Sequence, residues 1–288
     1  MDKCYFCSGE PYVLKKSQDG CLYKCKSCKS EFIGLLSSDI SYNKGFFVSL
    51  SEDNYDKIIR AKTNNFIKLI VDNSVDLTNA VILDIGCAIG LLLTAAASFN
   101  PKKLYGLDIN EWAVNQAKKN LPDAHLFCGS LEDAVQSGFI KKGYFDIITL
   151  TDVIEHINAP DIKRFCQLLL ELLKEDGKLI FTTPDINSFS RMLLGTLWFH
   201  YQNEHVTFIS DKGFNQLSKD LKFVIEKIVP YKKELPIGYI FNILKYHTKG
   251  PIRWLGIICL LISKALFMSE LTLSFKTGEL LLIISKKH

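Results

Sequence analysis

Residues 81–90 read Val81-Ile82-Leu83-Asp84-Ile85-Gly86-Cys87-Ala88-Ile89-Gly90. An unbroken apolar run such as Val81–Ile85 is the pattern of a strand buried on both faces. It closes on glycines, which let a backbone take positive φ and approach a ligand closely. The small apolar stretch Leu91–Ser98 then reads as a helix whose first N–H groups point back at that loop. Working outward, Leu104–Leu107 is a second strand, and Asn110 caps a helix with Ala113, Val114 and Ala117 on one face. His125–Cys128, Phe145–Leu150 and Lys178–Thr182 are further strands. A helix starts at Pro160, buries Ile162, Phe165, Cys166, Leu169 and Leu173, and ends at Asp176-Gly177. Lys222–Val229 and Glu279–Ser285 complete the set. Strands alternating with helices predict a parallel α/β sheet. The fold class expected is a Rossmann-like, seven-stranded, mostly parallel sheet with helices on both faces.

Asp108 follows the second strand, 24 residues after Asp84, where a carboxylate can accept from two ribose hydroxyls. A dinucleotide fold wants G-x-G-x-x-G, so that a pyrophosphate sits on the helix end. Here the loop reads D-x-G-x-x-x-G. Asp84 disfavours phosphates and suits an ammonium or sulfonium, and the dinucleotide glycine pattern of a nicotinamide dehydrogenase is missing. Together with Tyr105-Gly106-Leu107-Asp108, the strand-four stretch Phe145–His156 and the turn Leu173–Ile180, this loop resembles class I S-adenosylmethionine-dependent methyltransferases. The Asp152-Val153-Ile154-Glu155-His156 form and the stretch Asn203–Ser210 resemble the branch that includes ubiquinone-type O-methyltransferases. The resemblance covers about residues 42–230 and the last strand. It implies that Asp84, Gly86 and Gly90 hold the methionine part, that Asp108 holds the ribose, and that Ile109 lies against the adenine. It implies that Ser130 and Leu131 edge the adenine, with Glu132 or Asp133 standing in for the acid many relatives carry at position 130. Thr151 and Asp152 would lie near the transferring methyl.

Methyl transfer from a sulfonium is an in-line displacement in which the protein mainly positions the reactants. An O–H acceptor must also lose a proton. His156, after the fourth strand at the carboxyl edge of the sheet, is the first candidate base, and His205 the second. Each can instead be a histidine that packs and ties a loop. Trp198 and His200 read as pocket-shaping.

Cys4-x2-Cys7 and Cys25-x2-Cys28 are separated by 17 residues. Two such knuckles can surround one tetrahedral Zn²⁺ as a structural ribbon. Cys21, with x3 spacing to Cys25, competes as a ligand, while Cys87, Cys128, Cys166 and Cys259 read as core. Some ribosomal-RNA guanine methyltransferases also join a zinc ribbon to this kind of domain. Residues 1–35 carry six Lys against four acids, a weak basic bias, and Thr151-Asp152-Val153-Ile154 lacks the Pro-Pro-aromatic run of base-amino methylases. Nucleic acid is therefore not the favoured partner. RNA methylation and a non-catalytic binding scaffold stand as alternatives to transfer onto a small or lipid-linked acceptor.

The chain has 288 residues, 48% hydrophobic and 23% charged, with nine cysteines and a formal net charge of +4. That composition is globular. An odd cysteine count without a leader-like start reads as cytoplasmic, with reduced thiols. The organisation expected is a zinc ribbon at 1–35, a helical linker covering the cofactor at 36–78, a core at 79–235, an insertion at 236–277 and a final strand at 278–288. The core is expected to keep binding cofactor without the ribbon's metal. Residues 232–288 hold nine basic and three acidic residues. The insertion, apolar almost all round near Trp254–Phe267, reads as a buried lid, a homodimer helix or an element at the inner face of a membrane.

Overall fold

The computed structural model describes residues 2–17, 20–34, 55–202, 204–247, 250–266, 268 and 271–287. The stretch 36–54 of the expected linker lies outside the described residues. The main sheet is built from β4 (Val81–Ile85), β5 (Lys103–Asp108), β6 (His125–Cys128), β7 (Phe145–Thr151), β8 (Leu173–Pro184), β10 (Phe223–Pro236) and β11 (Thr272–Lys286). Their order is β10-β11-β8-β7-β4-β5-β6. β4 pairs in parallel with both β5 and β7, β5 with β6, and β7 with β8, while β11 is antiparallel to β8 and β10. This is the seven-stranded, mostly parallel sheet expected.

All five residues of β4 are buried, as a central strand requires. Alternate side chains go to opposite faces. Leu83, Ile85, Leu179, Phe181 and Leu282 join one core, with Phe165 and Leu169 of α5 (Ile162–Leu172) and Phe214 and Leu217 of α7 (Asp211–Leu221). Ile82, Ile180, Leu281 and Ile283 join the other, with Leu69 and Ile70 of α1 (Tyr55–Asp72) and Leu93 and Ala96 of α2 (Leu91–Ala97). Connections leave β4 first towards β5 and β6, then return to β7 on its other side. That reversal opens a crevice at the carboxyl ends of β4 and β7, where ligands bind in open α/β sheets.

Three expectations need correction. The helix expected to reach Asp176-Gly177 ends at Leu172, because Leu173 is fully buried opposite Phe145 and already extended. Cys128, read as core, is exposed, and Cys259 is only half-buried. The strands expected at Lys222–Val229 and Glu279–Ser285 are much longer. Beyond the Glu279↔Pro184 pairing with β8, they continue together as a two-stranded arm from Lys232↔Lys276 to Pro236↔Thr272. The arm carries α8 (Ile237–His247) and α9 (Gly250–Ala265). α9 is not buried all round, since Trp254, Leu255, Ile258, Leu261 and Ile262 are each more than half exposed.

The cysteine-rich segment forms β1 (Pro11–Ser17), β2 (Gly20–Cys25) and β3 (Glu31–Ile33). Its sheet is completed from outside, by β9 (Thr207–Phe208) on the far edge of β3. Cys4, Phe6, Cys25, Cys28 and Phe32 belong to the same packed cluster as Phe181 and Phe214. The ribbon is therefore packed into the main body rather than held apart as a separate unit.

Candidate active site and cysteine centre

The loop after β4 is held by backbone and carboxylate together. The N–H groups of Gly86 and Cys87 donate to the Leu107 carbonyl at 2.8 and 3.0 Å. Asp108 accepts from Ala88 N at 2.9 Å and from Asn110 N at 2.8 Å, one bond to each oxygen. The acid after β5 thus clamps the glycine loop and starts α3 (Glu111–Asn120), while burial raises its pKa against the pull of those amides. Asp84 is buried and accepts from Thr149 Oγ1 at 2.7 Å. Burial, more than the nearby Asp108 charge, pushes Asp84 up to about 7. Ile109 is exposed beside this clamp.

Gly86 has φ +70°, and a Cβ there would lie 2.5 Å from Val153 Cγ2. Ala88 also has positive φ, at 47°. Gly86→Ala should cost about 1–3 kcal/mol for the backbone alone, with a further cost for moving Val153. Thermal unfolding checks this; an unchanged midpoint would refute the tight contact.

Ser130 and Leu131 lie where β6 turns into α4 (Leu131–Gln136), but their side chains are otherwise engaged. Ser130 Oγ and Asp133 form a reciprocal capping box, and Leu131 is buried in the core. Only backbone atoms at 130–131 remain to edge a bound ring. Glu132 reaches Arg164 at 3.8 Å.

At the end of β7, Thr151 is half-buried and Asp152 has φ +58°, an uncommon conformation for a residue with a side chain. Asp152 accepts from Thr182 Oγ1 at 3.3 Å and lies 3.7 Å from Lys233 Nζ. Partial desolvation opposes its charge, but Lys233 and Lys62 outweigh that and hold Asp152, whose side chain is half-exposed, below the usual carboxylate range. Lys233 Nζ also contacts Glu279 at 2.5 Å. Neither Lys233 nor Glu279 stood out in the sequence. A register shift between Pro230 and Lys232, with Gly278 at φ +82°, aims them both at the cleft. Bulges next to active sites commonly re-aim side chains in this way.

His156 and His205 are brought together, with ring centroids 4.8 Å apart at 79°. His156 Nδ1 bonds the Glu204 carbonyl at 2.9 Å, and His205 Nδ1 bonds the His200 carbonyl at 2.8 Å. A carbonyl only accepts, so Nδ1 carries the proton in both rings and each Nε2 is left as an acceptor. Burial lowers the pKa of His156, and that of His205 to about 3. Both rings are neutral at neutral pH. Glu155, not singled out from sequence, completes the group, since one of its oxygens and one nitrogen of each ring lie within 4.8 Å of one another. Its carboxyl is pushed well above the usual range by burial, and Oε2 has no hydrogen-bond partner among the described residues. Such a donor set could serve proton transfer or hold a cation.

The segment bearing these histidines rests on the ribbon. Ile33 N donates to the Val206 carbonyl, and Val206 N donates to the Glu155 carbonyl, both at 2.8 Å. Glu31, fully buried on β3, accepts from Lys24 at 2.9 Å, from Arg191 at 3.3 Å and from the Tyr201 hydroxyl. Trp198 packs with Leu22, Ile186 and Phe208.

Within the ribbon, Cys4 and Cys28 Sγ are 3.7 Å apart and Cys7 and Cys25 Sγ 3.5 Å. All four sulfurs lie within 4.8 Å of one another, and Cys21 is not among them. A tetrahedron with Zn–S of about 2.3 Å has edges of about 3.8 Å, so the sulfur spacing fits that ion. The Cys4 thiol bonded to Cys28 holds the Cys28 thiol down to about 5, while Cys4 is pushed up. A ready thiolate is what a metal ligand needs.

A family model described as a methyltransferase domain matches residues 55–228, more than half of the chain. The chain belongs to this methyltransferase family. It is 30% identical over 174 residues to a mitochondrial ubiquinone biosynthesis O-methyltransferase of Schizosaccharomyces pombe, covering 60% of this chain and 59% of that protein. It is 27% identical over 129 residues to the ubiquinone biosynthesis O-methyltransferase of Neisseria meningitidis, covering 43% and 52% respectively. The chain thus spans little more than half the length of these curated relatives. Among solved structures, a SAM dependent methyltransferase from Archaeoglobus fulgidus matches with TM-score 0.54 at 14% identity, over 85% of this chain and 100% of that one. The YcgJ protein of Bacillus subtilis matches with TM-score 0.54 at 17% identity, over 78% and 99%. These likenesses are of fold.

Proposed function

We propose that this methyltransferase moves a methyl group from S-adenosylmethionine to an oxygen of a small or lipid-linked acceptor. The observation that carries the reading is the Asp108 clamp on the glycine loop, beside buried Asp84 at the sheet's switch point. Asp84, Gly86 and Gly90 hold the methionine part, Asp108 the ribose, and exposed Ile109 the adenine, with backbone at Ser130 and Leu131 along its edge. Thr151 and Asp152 face the reacting end. The cofactor supplies the activated methyl as a sulfonium. His156 Nε2 accepts the acceptor's proton, while the Glu204 carbonyl fixes its tautomer. His205 packs edge-on against it and excludes water. Cys4, Cys7, Cys25 and Cys28 hold a structural Zn²⁺, a reading supported by the sulfur spacing.

Calorimetric titration tests the cofactor. S-adenosylmethionine should bind and NAD should not, and Asp108→Ala should weaken binding by roughly 1.5–3 kcal/mol, as for charge-assisted hydrogen bonds. A protein that binds NAD and ignores S-adenosylmethionine would sink the reading. Asp84 adds a pH dependence. Its carboxyl titrates near 7 in the free protein, and a bound ammonium favours the ionised form. Binding lowers that pKa and releases a proton, so affinity should rise with pH through about 7 and then level off. Affinity flat between pH 6 and 8 would remove Asp84 from the ammonium site.

A further inference from the structure

We propose that the outward face of α9 docks on an anionic lipid bilayer and presents the cleft to an acceptor carried there. The acceptor clause rests on the methyltransferase reading above; the docking surface does not. Trp254, Leu255, Ile258, Leu261, Ile262 and Leu266 are 52–65% exposed. Spacings of one, four, seven, eight and twelve residues put all six on one side of a helix. Leu260 and Ser263, on the opposite side, are buried. A contiguous row of large apolar side chains in water marks a docking surface.

Length and charge choose the occupant. α9 has 16 residues, about 24 Å at 1.5 Å per residue, and no helix among the described residues is long and apolar enough to cross a membrane. A helix of this kind lies in the interface plane, with its apolar face in the acyl boundary. Between Glu234 and Glu270 the sequence has no acidic residue, but it has Lys245, Lys249, Arg253 and Lys264. Arg253 and Lys264, both exposed, lie together on one side of the helix, past the Leu261 edge of the apolar row. A second copy of the chain would bring two basic, acid-free helices together. Anionic lipid headgroups offer the opposite charge.

The arm sets the reach. Lys233 contacts Asp152 and Glu279 at the cleft, and α8 begins directly after Pro236. Four strand residues span roughly 13 Å. The arm therefore leaves the sheet beside the cleft, and a bilayer under the helices it carries would hold a lipid-linked acceptor on the cleft's side of the sheet edge.

Co-sedimentation of the full chain tests this with two vesicle types, phosphatidylcholine alone and phosphatidylcholine mixed with phosphatidylglycerol. The protein should sediment with the mixed vesicles at low salt, and Trp254 emission should shift to the blue. Reversing Arg253→Glu and Lys264→Glu should weaken binding more than about tenfold, since each basic residue at such a surface is worth about a fivefold factor. The triple variant Leu255→Gln, Ile258→Gln, Leu261→Gln removes only exposed side chains, so its thermal midpoint should hold while binding is lost. Three results would overturn docking: no sedimentation with mixed vesicles, binding unchanged in the triple variant, or a stable dimer that the triple variant dissolves. Calorimetry with S-adenosylmethionine on the same protein separates the two readings. Vesicle binding without cofactor binding keeps the docking surface and overturns the acceptor clause.

Discussion

A Cys25→Ser, Cys28→Ser variant should lose its zinc and, with it, the order of the acceptor side of the cleft. Wild-type protein should carry one zinc per chain by elemental analysis and the variant none. Structural zinc contributes roughly 10–16 kcal/mol in isolated finger peptides. Here the ribbon also packs on the main core through Cys4, Phe6 and Phe32, so part of its structure has other support. Even a loss of about 5 kcal/mol should lower the thermal midpoint by more than about 10 °C in a protein of this size. The damage should run along a defined route. Ser210 Oγ bonds the Cys28 carbonyl and Ser210 N bonds Ser30 Oγ at 3.1 Å. From β3 the ladder continues to Val206 and the Glu155 carbonyl, beside both histidines. Emission of Trp198, buried against Leu22 and Phe208, should shift to the red, while Asp84 and Asp108 keep their own supports. Stoichiometric zinc in the double variant, or zinc lost with the midpoint unchanged, would show that the four sulfurs do not hold this fold together.

His156→Ala should lower turnover by about 10²–10⁴ with S-adenosylmethionine affinity nearly unchanged, the range expected for a general base. The prediction stands on geometry. Nδ1 is committed to the Glu204 carbonyl at 2.9 Å, so Nε2 is the unprotonated, basic nitrogen, and burial keeps the ring neutral. His156→Asn separates chemistry from packing, because its amide nitrogen takes the place of Nδ1 and can still donate to that carbonyl yet takes up no proton. Equal losses in the Ala and Asn variants, with both folded, fit a base. Full activity in His156→Asn would reduce the histidine to a packing role. His205→Ala should cost less, since His205 contributes mainly a ring against His156.

Much of the site was legible because its residues are close in the chain. Asp84, Gly86 and Gly90 share one loop, and Asp108 follows the next strand, so hydrophobic periodicity alone put them at one sheet edge. The cysteine pairs were equally plain, because the spacing of two knuckles is itself the ligand geometry. Ser130 and Leu131 show the limit. Their position after β6 was readable, but the capping box and the burial that engage their side chains arise from local hydrogen bonding and packing.

Sequence reading therefore reached the Rossmann-like sheet, the glycine loop with its acid, and the four-cysteine group, all of which rest on local periodicity and short spacings. Tertiary structure alone decided the rest. Lys233 meets Asp152 and Glu279 through a strand pairing with a bulge across a long insertion. Glu31 meets Tyr201 and Arg191 because β9 completes the ribbon's sheet. α9, apolar nearly all round in sequence, turns one apolar side to water because the arm carries it beyond the sheet that would otherwise bury it. Each of these depends on which distant strands share a ladder, and backbone hydrogen bonds that set such pairings carry no local signature in the residues they join.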